Sequence, residues 1–146
     1  MCGLTSIFAY RDGAPPVDRE ELLRIRDAMI NRGPDGSGLW VSNDLRIGLA
    51  HRRLAILDLS EAGAQPMSTP DGTVHIVFNG EIYNFRELRR DLEAKGYQFR
   101  SDSDTEVLLY LYQEHGRELV HKLRGMYAFA IYDARKQGMF LARDPF

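Results

Sequence analysis

Cysteine is nearly absent: the 146-residue chain holds one, at position 2. A lone thiol cannot close an internal disulfide, which excludes a secreted disulfide scaffold. It cannot build a cysteine metal site either, and the four histidines are scattered without ligand spacing, so no metal is expected. Long apolar runs are missing too; nothing approaches the roughly 20 residues that a membrane-spanning helix needs. The start, MCGLTSIFAYRDG, has no basic flank and no long apolar stretch, and so does not read as a signal peptide. Basic residues never run beyond two in a row, and the net charge is −2. That leaves no electrostatic footprint for nucleic acid or for an anionic membrane. What remains is an ordinary globular composition, 44% hydrophobic and 27% charged, enough for one domain with its own core and placed by default in the cytoplasm.

The position of the one cysteine is informative. Removal of Met1 would make Cys2 the first residue, carrying a thiol and a free α-amine together. Such an amine, with a reference pKa of roughly 7.7–8.0, can act as a built-in general base for the thiol. The alternative is a small buried hydrophobe, the usual fate of a free cysteine.

Patterning predicts alternating strands and helices. Residues 4–10 form a strand, and a helix over 18–31 is capped by Asp18 with Glu21 as its box partner. Residues 32–38 read as a loop, 45–50 and 54–57 as short strands, and 60–72 as a longer loop. A strand over 73–78 ends in Asn79-Gly80. Asn84 caps a helix that Gly96 ends, residues 97–100 form a short strand, and Ser103 with Glu106 caps a helix reaching Gly116. A short helix over 117–123 precedes a hairpin of strands 127–132 and 138–142. Hairpins interspersed with helices indicate a layered α+β fold with much antiparallel sheet.

Four further segments carry candidate chemistry. Arg32-Gly33-Pro34-Asp35 is either a turn or a phosphate cradle, although it lacks the spacing and lysine of a P-loop. In Ala50-His51-Arg52-Arg53-Leu54, strand alternation sends the two arginines to opposite faces. One turned inward needs an anionic partner such as a ligand carboxylate, and His51 reads as a packed histidine. Asn79-Gly80 is either a type I′ turn or an oxyanion hole made from the Asn79 amide and the Gly80 N–H. The acidic run at 101–106 caps a helix, and a carboxylate free of that duty could hold an ammonium group.

Cys2-Gly3, Arg32-Gly33-Pro34-Asp35, Ala50-His51-Arg52-Arg53-Leu54, Asn79-Gly80-Glu81-Ile82-Tyr83-Asn84 and Ser103-Asp104-Thr105-Glu106 occur in this order. Together with Gly125-Met126-Tyr127-Ala128-Phe129-Ala130 and the ending at Phe146, they make the whole chain resemble the class II glutamine amidotransferase domain of glutamine-hydrolysing asparagine synthetases. The resemblance implies an N-terminal-nucleophile hydrolase fold, a four-layer αββα sandwich, and hydrolysis of glutamine to glutamate and ammonia. It implies attack by Cys2, oxyanion stabilisation by Asn79 and Gly80, and a carboxylate clamp at Arg53. Asp104 would hold the α-ammonium, with Glu81 and the backbone at Leu54 completing the pocket.

By the same resemblance, ammonia passes to a C-terminal synthetase domain that uses ATP and Mg2+ to convert aspartate to asparagine; the glutaminase domain itself needs no cofactor. No synthetase domain lies within residues 1–146, and the chain is expected to be a C-terminally truncated glutaminase domain, marginally stable with exposed sheet edges. Another acceptor (a sugar, peptide or lactam precursor) and a homodimer stay open. If Met1 is retained, the chain is an inactive glutamine-binding module.

Overall fold

Strand β3 (Ile47–Arg53) carries small and apolar side chains on both faces, and this generates a layered architecture. Ile47 and Leu49 face one way, into Val77, Ala130 and Tyr132. Ala50 faces the other way, into Val17 and Leu22. In the computed structural model, which describes residues 2–145, β3 is the centre of a sheet ordered β1-β3-β2, with β1 at Gly3–Phe8 and β2 at Gly36–Val41. A second sheet is ordered β4-β5-β6-β7, from Met67–Ser68, Val74–Ile82, Gly125–Asp133 and Gly138–Arg143. All pairings are antiparallel.

Helix α1 (Arg19–Ala28) covers the outer face of the first sheet through Leu22. Helices α2 (Phe85–Ala94) and α3 (Asp104–His115) cover the outer face of the second. There Leu88, Leu92, Leu108 and Leu111 join Ile76, Phe78 and Ile131 in the largest core. Between the sheets, the rings of Trp40 and His75 stack at 3.8 Å beside the Ile47 and Leu49 cluster. The order is therefore helix, sheet, sheet, helices, the expected αββα sandwich. Met1, whose removal the N-terminal chemistry requires, and Phe146 lie outside the described residues.

Several local expectations are corrected. The segment 54–57 is loop, and the second strand of that pair is instead β2, whose Gly-Ser-Gly start reads locally as a turn. Gly38 is in β2 because the backbone of Gln65 crosses it so closely that a Cβ would sit 1.8 Å from the Gln65 carbonyl oxygen. Residues 97–100 form no strand. Asn79-Gly80 makes no turn, since β5 runs straight through it to Ile82.

Asn84 does not cap α2 with its side chain; its amide donates to the Lys122 carbonyl at 2.9 Å and accepts from the Arg124 N–H at 3.0 Å. It therefore ties the end of β5 to the start of β6. Asp18 and Ser103 do cap α1 and α3. A 3₁₀ segment, Gly116–Lys122, replaces the helix expected after α3.

Leu49 is fully buried between the sheets and Leu59 is 80% exposed. Leu49→Ala is expected to cost about 2–5 kcal/mol in urea unfolding, and Leu59→Ala less than about 0.5 kcal/mol.

Candidate active site

Alternation along β3 decides the fate of the two arginines. Arg52 faces α1 and pairs with Asp27 at 2.5 Å. Arg53 faces the opposite way, into a cavity of about 180 Å³ that Cys2 also lines. Such a volume lies well below the roughly 300–1,000 Å³ of drug-sized sites and suits a ligand of few heavy atoms. Register puts Cys2 there as well. Gly3 pairs with Arg52, so the residue before it lies beside the end of β3. The Leu54 N–H donates to the Cys2 Sγ at 3.3 Å, and the thiol reaches the Leu54 carbonyl at 3.6 Å.

Arg32-Gly33-Pro34-Asp35 is a brace and forms no phosphate cradle. Arg32 Nε donates to the Cys2 carbonyl at 3.1 Å, and Asp35 accepts from the Ala55 N–H at 2.9 Å. The Asp35 N–H reaches the Arg53 carbonyl at 2.9 Å. This loop therefore fixes the backbone on both sides of the thiol.

Strand β5 supplies the opposite wall. The Tyr127 N–H and carbonyl are bonded to Asp144, at 2.8 and 2.9 Å, so Gly80, its partner across β5 and β6, belongs to a non-hydrogen-bonded pair. Phe78, Gly80 and Ile82 share that parity and turn their N–H groups away from β6, toward the cavity side. The Phe78 N–H is taken by Gln65 Oε1 at 2.6 Å and the Ile82 N–H by Asp104 Oδ2 at 3.0 Å. The Gly80 N–H lies between them, facing the cavity. Gly80 has φ +152°, and a Cβ there would meet the Met126 carbonyl oxygen at 2.1 Å, so no other residue fits. Beside it, Asn79 Oδ1 is buried without a hydrogen-bond partner among the described residues.

His51 closes this corner from the first sheet. The Phe78 carbonyl can only accept, so the 3.0 Å contact makes His51 Nε2 the protonated nitrogen. Burial holds its pKa down at about 4, and the ring is a neutral packed histidine, as expected.

The charges in the cavity are left unmatched. Arg53 gives N–H bonds to the backbone carbonyls of Ser60, at 2.8 Å, and Asp58, and it enters no ion pair among the described residues. Asp104 and the exposed Glu81 line the same cavity, and neither has a cationic partner among the described residues. Burial, with the neighbouring Glu81 charge adding to it against the backbone N–H bonds, pushes Asp104 up to about 6. The cavity is lined by Arg53 and three carboxylates; Asp58 is taken up by the Ser60 N–H and hydroxyl and by the Asp102 N–H, which leaves Arg53, Glu81 and Asp104 to complement a zwitterion.

All seven residues singled out from the sequence, Cys2, Arg53, Leu54, Asn79, Gly80, Glu81 and Asp104, line this cavity. Gln65, Leu57, Asp58, Thr105 and Met126 also line it and were not singled out. The dipeptide Gln65-Pro66 sits in a stretch without periodicity, and nothing local marks its side chain as buried.

The raised Asp104 pKa has a stability consequence. The protonated form is favoured in the fold, so its contribution is present below about pH 3.8 and lost as pH rises through about 6. Asn keeps the acceptor for the Ile82 N–H without the charge. Asp104→Asn is expected to raise unfolding free energy at pH 8 by on the order of 2 kcal/mol, with the difference vanishing near pH 4, measured by urea titration.

Comparisons with known proteins identify the family and the fold. The family model described as glutamine amidotransferase domain matches residues 1–146. The chain is 48% identical to asparagine synthetase [glutamine-hydrolyzing] 1 of Bacillus subtilis over 147 residues, covering 100% of this chain and 23% of that protein. It is 42% identical to asparagine synthetase B [glutamine-hydrolyzing] of Escherichia coli over 99% of this chain and 25% of that protein. Amidase chry2 of Gibberella zeae is 39% identical over 99% of this chain and 22% of that protein. The chain thus spans about a quarter of the length of these relatives. Among solved structures, glutamine phosphoribosylpyrophosphate amidotransferase from B. subtilis superposes with TM-score 0.74 over 97% of this chain and 37% of that one. At 20% identity that likeness concerns the fold alone, the αββα sandwich. Matched over its whole length by the family model, the chain belongs to the glutamine amidotransferase domain family.

Proposed function

We propose that this chain hydrolyses the side-chain amide of glutamine to glutamate and ammonia, with Cys2 as nucleophile. The observation that carries the reading is the set of charges without an ion-pair partner among the described residues, Arg53, Glu81 and Asp104, at a cavity that also holds a thiol. An α-amino acid answers that pattern, its carboxylate on Arg53 and its ammonium on Asp104 and Glu81. A glutamine held this way extends its amide toward Cys2.

The chemistry then follows from the groups present. Once Met1 is removed, the Cys2 amine takes the thiol proton as sulfur bonds to the amide carbon. The amide oxygen becomes an oxyanion facing the Gly80 N–H and the Asn79 side-chain amide. Collapse of this intermediate expels the amide nitrogen, which receives the proton and leaves as ammonia. Water cleaves the resulting thioester, releasing glutamate and restoring the thiol. The arrangement around Leu54 and Arg32 keeps sulfur and backbone aligned for both steps.

The reading extends to the ammonia's destination: a synthetase domain in a longer chain, acting in the cytoplasm and using ATP and Mg2+ to amidate aspartate. The names of the Bacillus and Escherichia relatives support an asparagine synthetase as that destination. The likeness to amidase chry2 supports a second reading, the same glutaminase half joined to a different acceptor site.

Intact mass before and after diazo-oxo-norleucine, an electrophilic glutamine analogue, tests the glutaminase. Loss of the methionine mass and gain of one adduct are expected, and Cys2→Ala is expected to lose both the adduct and glutamate release. Processed protein without an adduct would overturn the assignment. Retained methionine with glutamine binding but no turnover would mark a binding module. Arg53→Met is expected to raise the KM for glutamine roughly 100-fold with a much smaller change in kcat. The KM should fall as pH rises through about 6, because the ammonium requires ionised Asp104.

A further inference from the structure

The Gly80 N–H owes its direction to what is bonded on either side of it. Strand β4 is two residues long and pairs with His75 and Ile76, so from Phe78 onward this edge of β5 has no neighbouring strand. The side chain of Gln65 takes its place. Its amide orientation is fixed by its partners, since the Phe78 N–H can only donate and must face Oε1. Nε2 then donates to Thr105 Oγ1 at 3.1 Å. Thr105 is 2% exposed, Gln65 is 8% exposed, and Thr105 directly follows Asp104, which holds the Ile82 N–H.

A closed circuit results: Gln65 to Phe78, along β5 through Gly80 to Ile82, across to Asp104, and back through Thr105 to Gln65. The backbone of Gln65 cannot drift, because it lies against Gly38 with no room for a Cβ between them. No bond in the circuit needs a ligand, so it is complete before substrate arrives.

We propose that Gln65, locked by Thr105, is a positioning residue that aims the Gly80 N–H into the cavity and fixes its spacing from Asp104. The proposal rests on the glutaminase reading of this cavity. Gln65 acts through the backbone of β5, so its loss weakens stabilisation of the oxyanion and leaves the amino-acid head group held by Arg53, Asp104 and Glu81.

The test compares wild type with Gln65→Met, Thr105→Val and Thr105→Ser in the processed chain. Gln65→Met is expected to lower kcat for glutamine about 10-fold to 100-fold, somewhat less than deletion of an oxyanion donor. The KM should stay within about 3-fold, and alkylation of Cys2 by iodoacetamide should be unchanged. Thr105→Val is expected to lower kcat in the same way and Thr105→Ser to restore it; these two carry the test if Gln65→Met does not fold. A raised KM with unchanged kcat would make Gln65 a substrate contact and overturn the proposal, as would unchanged kinetics.

A second readout is independent of turnover. In the ligand-free protein the Gly80 amide resonance is expected to shift in Gln65→Met and Thr105→Val and to return in Thr105→Ser. An unmoved Gly80 resonance overturns the proposal whatever the activity. If wild type releases no glutamate while Gly80 still moves, the glutaminase reading fails and the link from Gln65 to Gly80 stands.

Discussion

A strand that loses its neighbour is the constraint on which the site depends. β5 continues for six residues past its last pairing with β4, and its exposed N–H groups must find acceptors or leave buried donors unpaired. Each unpaired donor costs about 1–3 kcal/mol. Gln65 and Asp104 satisfy two of them, and both are side chains from outside the sheet. What they leave between them is one N–H facing a cavity. The oxyanion site proposed here is thus the remainder of an edge otherwise satisfied by side chains.

The same economy governs charge. A carboxylate pushed up to about 6 by burial is held beside an ionisable neighbour, which works against the folded state at neutral pH. Arg53, held by loop carbonyls, makes no ion pair among the described residues, although the Asp58 carboxylate feels its charge. Elsewhere the chain pairs its buried carboxylates well. Glu106, 1% exposed, accepts from the Arg100 and Ser101 N–H groups and from the Ser101 hydroxyl at 2.6 Å. Asp133, fully buried, takes a forked pair of bonds from Arg135. Asp104, by contrast, accepts from backbone N–H groups and has no cationic partner among the described residues, which is the contrast that the proposed ammonium site rests on.

Much of this was legible in the chain. Periodicity located α1, α3, the core of β5 and the final hairpin, because each buries one face or both and writes that burial into local spacing. The motif residues were legible as chemistry: a thiol near the start, an arginine between apolar strands, an acidic helix start. The failures are equally physical. Asn-Gly has the local preference of a turn, yet nine consecutive pairings between β5 and β6 hold it extended. Gly36 and Gly38 read as loop, yet close passage of the Gln65 backbone calls for glycine inside a strand at position 38.

By itself the sequence determined a layered α+β pattern, the charged inventory and the two faces of Arg52 and Arg53, since all of these follow from residue type and a period of two or 3.6. Tertiary structure decided which arginine meets the cavity, because only the packing of α1 on β3 assigns one face to Asp27 and leaves the other open. It also decided the role of Gln65, whose partners lie 13 and 40 residues away. Hydrogen bonds across such separations depend on where the chain has been brought by its cores. No local pattern encodes them.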